Sequence, residues 1–306
     1  MTLDEGQKGH LAMLCFSALV AGSFSLGSMA APFVDPAALT ALRFLLAGCL
    51  VGLVAWATGR ITASAARAPW RYLVLGGLLA AYFVLMFEGL KTAAPVSAAA
   101  VFTLTPLMAA AFGWLLLRQR LTRRMGVALT LGALGAVGVI FRADWHAILS
   151  LKIGHGEVIY FWGCVSHAIY APMVRKLNRG EPAVVFTFGM MIAGFAMLTL
   201  WSLPALMATD WLALPGIVWI TLIYVSVFAS AVTFVLLQYA TLRLPAAKVM
   251  AYTYLTPSWV ILWELALGRG GPPILILAGV GLTMLALWLL LDHPREISTN
   301  PPGPPR

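Results

Sequence analysis

The chain has 306 residues, of which 61% are hydrophobic and only 10% charged, with a formal net charge of +9. A soluble domain carries about a quarter charged residues, and no soluble packing could keep this much apolar surface away from water. The composition excludes a soluble globule. The basic residues lie in short segments between apolar runs, not on one polar module, so the excess charge excludes a nucleic-acid partner and reads as a topology signal.

A membrane-spanning helix takes about 20 apolar residues. By that rule the sequence predicts an all-α polytopic membrane protein with ten spans: residues 11–31, 37–57, 70–90, 94–117, 125–141, 158–177, 183–203, 214–237, 246–267 and 274–291. The first run is long enough to span, so it reads as a retained helix and not as a cleaved leader. The fifth is the shortest and carries Gly126, Gly132, Gly135 and Gly138; the tenth carries Gly279 and Gly281. Small residues let helix backbones approach, so these two read as packing elements at matching places in the two halves. Cys15, Cys49 and Cys164 all fall inside apolar runs and read as buried thiols, not a disulfide. Residues 293–306 read as a disordered tail, rich in Pro and Gly at its end.

The loop charges set the topology. With the N-terminus in the cytoplasm, 15 Lys and Arg residues fall inside and 4 outside (Lys91, Arg142, Lys152 and Arg269), with Arg43 within the second span. The positive-inside rule then puts both termini in the cytoplasm.

The chain is internally duplicated. Leu90-Lys91-Thr92-Ala93-Ala94-Pro95 is answered by Leu242-Arg243-Leu244-Pro245-Ala246-Ala247, and Leu104-Thr105-Pro106 by Leu255-Thr256-Pro257. The two repeats are residues 1–147 and 148–292. Each holds five spans, an odd number, so the second must enter the membrane in the opposite sense. Two inverted five-helix repeats are a transporter architecture, because one set of contacts supplies two nearly equivalent access states.

These residues resemble the drug/metabolite transporter superfamily, in particular its EamA-type ten-helix members. The resemblance is carried by Ala38-Leu39-Thr40-Ala41-Leu42-Arg43-Phe44-Leu45-Leu46-Ala47 in the second span, by Phe87-Glu88-Gly89-Leu90-Lys91-Thr92-Ala93-Ala94 and Leu104-Thr105-Pro106-Leu107 around the third and fourth, and by Ile169-Tyr170-Ala171-Pro172-Met173-Val174-Arg175-Lys176-Leu177 at the end of the sixth. It covers about residues 10–291. Gln119 and Arg269 stand where the family pattern carries a glutamate before a basic residue. The resemblance implies a secondary transporter in the bacterial inner membrane, with the bacterial aromatic amino acid exporters as the nearest kin. It also implies that spans one, three, four, six, eight and nine surround the central cavity.

No enzyme constellation is present: there is no P-loop, no His-Glu-x-x-His and no Cys-x-x-Cys. Neither catalysis nor a cofactor is expected. The expected partners are a small-molecule substrate and the lipid bilayer. A charge within the bilayer costs about 2.5–3.5 kcal/mol or more, so buried polar residues point to sites. Arg43, Glu88 and Glu264 are expected at similar depth, either as a structural ion pair or polar plug, or as gating groups. His167 is either a packing histidine or a proton-coupling group. On the cavity spans that the resemblance implies, the candidates are Ser23, Ser25, Tyr82, Trp162, His167 and Tyr252, and the deeper rings of Tyr82 and Tyr252 suit an aromatic or flat cationic substrate. Tyr254 lies equally deep. Pro106 and Pro257 each remove a helix hydrogen bond and are expected to act as hinges. The function expected is export of amino acids, aromatic ones first, or of similar small metabolites. A lipophilic cationic drug and a channel-like membrane protein are the alternatives.

Overall fold

The computed structural model describes residues 4–61, 63–118, 122–141, 153–241, 244, 246–270 and 273–291. The 293–306 tail, Gln119 and Arg243 lie outside the described residues. The helices are α1 (Glu5–Ala30), α2 (Pro36–Ala57), α3 (Trp70–Gly89), α4 (Pro95–Phe102), α5 (Thr105–Leu117), α6 (Arg123–Ile140) and α7 (His155–Leu177), followed by α8 (Ala183–Ala208), α9 (Gly216–Ser226), α10 (Thr233–Thr241), α11 (Ala246–Ala251), α12 (Thr256–Ala266) and α13 (Ile274–Leu291). Among the described residues, eight helical stretches are long and apolar enough to cross a membrane, two of them formed by α4 with α5 and by α9 with the residues that follow it. His155–Leu177 and the broken run α11–α12 are further long helical segments.

Local chemistry explains the starts. Asp4 and Gln7 form a reciprocal capping box on α1 (Gln7 N–H to Asp4 Oδ1, 2.6 Å; Asp4 N–H to Gln7 Oε1, 3.0 Å). Asp35 accepts from the Ala37 and Ala38 amides at the start of α2, with Pro36 as its first residue. Thr122 caps α6 through the Met125 amide.

Three breaks interrupt the expected spans. Thr103 and Leu104 separate α4 from α5, immediately before Pro106. A 3₁₀ turn, Tyr252–Leu255, separates α11 from α12, immediately before Pro257. Both prolines therefore sit in the first turn of a new helix, where a missing N–H costs nothing. The third break is a π-helical turn, Val227–Val232, between α9 and α10, which nothing in the local sequence announces.

The most extensive helix pairs join the first half of the chain to the second. α2 packs along α8, α3 along α7 and α8, α6 along α13, α4 against α12, and α1 against α9, α10 and α12. Glycines permit the closest crossings: Gly135 of α6 lies against Gly279 of α13, and Gly89 of α3 against Gly156 of α7. α4 is buried over residues 97–102, whereas α5 buries only Thr105, Pro106 and Gly113. Large apolar side chains stand on the outside of the spans, with Trp201, Leu200 and Met207 almost fully exposed, as lipid-facing side chains are. Cys15 and Cys49 belong to that outer surface and only Cys164 is buried; all three are free. This corrects the expectation of three buried thiols: an apolar segment in lipid has an outward face, so lying in such a run does not imply burial.

Candidate functional site

The bundle centre holds a cluster of rings drawn from both halves. On α7, Tyr160, Cys164 and His167 follow at i, i+4 and i+7 and so share one face. That face meets Tyr82 of α3: the Tyr82 and Tyr160 hydroxyls are 3.1 Å apart, and the Tyr82 and His167 rings are 4.5 Å centroid to centroid. Phe102, the last residue of α4, lies 6.1 Å from Tyr82 and 5.8 Å from His167. Phe24 of α1 reaches Phe102 at 6.0 Å and Tyr160 edge-on at 5.9 Å, and Tyr170 stacks on His167 at 5.9 Å. Separations of 4.5–7 Å are those at which tilted and offset aromatic pairs attract. The Nδ1 of His167 is buried without a hydrogen-bond partner.

Phe83 extends the cluster to Arg43. Its ring lies 4.7 Å from that of Tyr82, and the Arg43 guanidinium carbon sits 3.6 Å above it, a cation–π contact. Arg43 is 1% exposed. Its Nε donates to Ser230 Oγ at 3.0 Å and its Nη2 to the Ala229 carbonyl at 3.2 Å. Both acceptors belong to the π-helical turn. Such turns are rare and recur at functional sites, since they expose a carbonyl that a regular helix would use.

The expected grouping of Arg43 with Glu88 and Glu264 is not what the structure holds. Glu88 pairs with Lys91 at 2.7 Å on the surface, and Glu264 lies 3.7 Å from Arg269, which donates to Ser28 Oγ. Glu88 stands five residues beyond Phe83, about 7 Å further along α3, and each glutamate has its own cation nearby. Arg43 stays with the rings.

The remaining candidates divide. Ser23 and Ser25 are buried on α1 either side of Phe24, and Ser25 Oγ has no partner. Trp162 is 60% exposed, meets Phe161 edge-on and takes no part in the cluster. Tyr252 packs against the start of α1, where its hydroxyl meets His10 Nδ1 at 2.8 Å. Tyr254 is fully buried between α6 and α13 over Gly132. Pro106 and Pro257 begin the helices that follow the two mid-span breaks.

Sequence reasoning passed over Phe24, Phe102, Tyr160 and Ser230. The i, i+4, i+7 spacing on α7 was available as a signal; Ser230 carries none, because a π-turn has no readable pattern. A second polar centre was also missed. Arg71, read as a topology charge, is 1% exposed at the start of α3. It donates to Glu181 Oε1 at 2.6 Å, to the Leu177 carbonyl at 2.7 Å and to the Arg67 carbonyl at 3.0 Å.

A protein of known crystal structure shares this fold with a TM-score of 0.65 at 21% identity, over 94% of this chain and 96% of that one. The uncharacterized transporter YyaM of Bacillus subtilis (strain 168) is 25% identical over 284 residues, which is 92% of each chain. The EamA-like transporter family matches twice in succession, at residues 7–141 and 155–292, once over each half. With a break before proline in each of these matched stretches, and a polar, ring-lined centre built from both, the chain belongs to the EamA-like transporter family.

Proposed function

We propose that this transporter exports amino acids, aromatic ones first, across the bacterial inner membrane by alternating access. The observation that carries this is the ring cluster of buried Tyr82, Phe102 and Tyr160 with half-buried Phe83, His167 and Tyr170, to which α3, α4 and α7 contribute. Flat apolar rings stack on rings, and a cluster drawn from both halves separates when the halves rock. Two inverted repeats, residues 1–147 and 148–292, fit the pairing. Counting α4–α5, α9–α10 and α11–α12 as single broken helices gives ten. The contacts one–eight, two–seven, three–six, four–nine and five–ten are unchanged when the halves are exchanged, as a two-fold axis requires. α4 is buried where α5 is not, and the charge bias favours α4 and α12 as the outer parts of their spans. The Glu88–Lys91 and Glu264–Arg269 pairs, near the ends of α3 and α12, are candidates for gating. Arg43 carries a positive charge into the cluster, which disfavours a cationic drug as substrate.

Proteoliposomes holding the purified protein test the reading. Saturable counterflow of Trp, Phe or Tyr without a pH gradient is expected, as a facilitator gives. Uptake only with a gradient would make His167, Glu88 and Glu264 coupling groups. Unsaturable flux would indicate a channel, and uptake of no amino acid would sink the substrate assignment.

The paired breaks give a kinetic prediction. Replacing Pro257 with Ala allows α11 and α12 to join, so the moving step should slow while the rings are untouched. A maximal rate about tenfold lower with KM within about twofold is expected from single-time-point uptake over a concentration series. An equal change in both, or none, would remove the hinge role from Pro257.

A further inference from the structure

The Arg43 guanidinium is a charge without a counter-charge. Among the described residues, ion pairs join Lys8 to Glu5, Arg71 to Glu181, Lys91 to Glu88 and Arg269 to Glu264, and Arg43, which lies within the second span, is in none of these. Its two neutral acceptors take Nε and Nη2, and Phe83 covers one face. Nη1 is buried with no hydrogen-bond partner. A guanidinium has five N–H donors in a planar fork suited to a carboxylate, and an unpaired donor in a low-dielectric interior is costly. Arg71 shows how the same chain treats a buried arginine that has only to be stable: three backbone carbonyls and a glutamate surround it. Arg43 is held through Nε and Nη2 and left incomplete at Nη1.

We infer that Arg43 is the anchor for a carboxylate on the transported molecule, and that the substrate class is planar, ring-bearing carboxylates, whether or not they carry an amino group. Arg43 is set beside the rings through Phe83, and Phe83 adjoins Tyr82, so a ligand with its carboxylate on Arg43 has an aromatic surface one side-chain width away. Ser230 and the Ala229 carbonyl fix the guanidinium plane, which makes them positioning groups; their π-turn sets the direction of the fork. The inference rests on the proposed central site but adds a requirement to it. The carboxylate is obligatory, and the ammonium of an amino acid is not.

The test is binding to the purified full-length protein, followed by intrinsic tryptophan fluorescence, with three probes: 3-phenylpropanoate, phenethylamine and phenylalanine. 3-Phenylpropanoate and phenylalanine are expected to bind comparably, and phenethylamine about 10- to 100-fold more weakly, the range set by a charge-assisted hydrogen bond. Arg43→Gln should weaken the two carboxylates by the same factor and leave phenethylamine bound no more weakly, since the repulsion of its ammonium goes with the charge. Arg43→Lys should fall between, since an ammonium keeps the charge and loses the fork. Should Arg43→Gln fail to fold, Ser230→Ala provides the same comparison with a smaller shift, and the three-probe series on the unaltered protein stands by itself. Phenethylamine binding as tightly as 3-phenylpropanoate, no carboxylate binding, or carboxylate binding unchanged in folded Arg43→Gln would each overturn the assignment. If 3-phenylpropanoate binds through Arg43 and no amino acid is transported, the amino-acid reading fails and the carboxylate anchor stands. If amino acids are transported equally by Arg43→Gln, the reverse holds.

Discussion

Replacing Glu181 with Ala is expected to destabilise the protein by about 3–5 kcal/mol, the cost of stranding a buried charge whose partner has been removed. Arg71 would remain in place with carbonyls at Leu177, Arg67 and Ala68 but no counter-charge. The loop between α7 and α8 would lose its tie to the start of α3, because Glu181 also accepts from the Arg179 amide at 2.7 Å. Glu181→Gln keeps an acceptor and should cost about 1.5–3 kcal/mol, as a charged hydrogen bond does. Midpoints of thermal unfolding in detergent rank the three proteins. If Glu181→Ala melts with the unaltered protein, the pair has no structural weight.

The same pair predicts a pH dependence. The hydrogen bond from the Arg71 guanidinium, helped by backbone amides, holds the Glu181 carboxyl down at about 2, against an ordinary value of 4.5. The folded-state pKa lies below the unfolded one, so this contribution is complete above about pH 4.5. It is lost as pH falls from there towards 2. Melting midpoints of the unaltered protein should therefore drop over that window more steeply than those of Glu181→Gln, which has nothing to titrate at that position.

The second large effect is expected at the crossing of α6 and α13. A Cβ on Gly135 would lie 2.6 Å from the Gly279 carbonyl oxygen, and one on Gly279 would lie 2.7 Å from that of Gly135. Both obstacles are backbone, so neither helix can yield by turning a side chain. Gly135→Leu should force the pair apart and cost at least the 1–3 kcal/mol of an overpacked core. Gly281, two residues along α13, has nothing within 4 Å of such an atom, and Gly281→Leu should change stability by under about 0.5 kcal/mol. Comparable melting of the two variants would show that the crossing is not close in solution.

The sequence carried the fold class openly, because length and hydropathy alone demand lipid and helices. It also carried the duplication, in Leu-Thr-Pro repeated at 104–106 and 255–257, and the structure breaks a helix before each of those prolines. Gly132, Gly135 and Gly279 were legible as packing residues because a missing side chain has one common use in a membrane; Gly126 and Gly281, read the same way, meet nothing within 4 Å. The site was only half legible. Tyr82 and His167 were recognisable as polar rings at depth, and they do meet. Trp162 was not distinguishable from them, since hydropathy in a membrane helix does not reveal which side faces lipid. Arg43 was visible as a buried charge, but its neighbours come from residues 187 positions away. Composition gives no rule for pairing at that distance. Arg71 looked like any loop cation until α7 and α8 closed over it.

Chain length is itself part of the centre. A π-helical turn amounts to one residue more than a regular helix would use, and each residue of an α-helix turns the chain by about 100°. Residues 233–241 thus present to α1 a face that an uninterrupted helix from Gly216 would have turned elsewhere. The Ala229 carbonyl is available to Arg43 within the same irregularity. Loss of Val227, Phe228, Ala231 or Val232 would remove no chemical group that contacts Arg43, yet would re-aim both the Ser230 hydroxyl and the Ala229 carbonyl. The integer number of residues in this segment is therefore as constrained as the identity of any side chain around it.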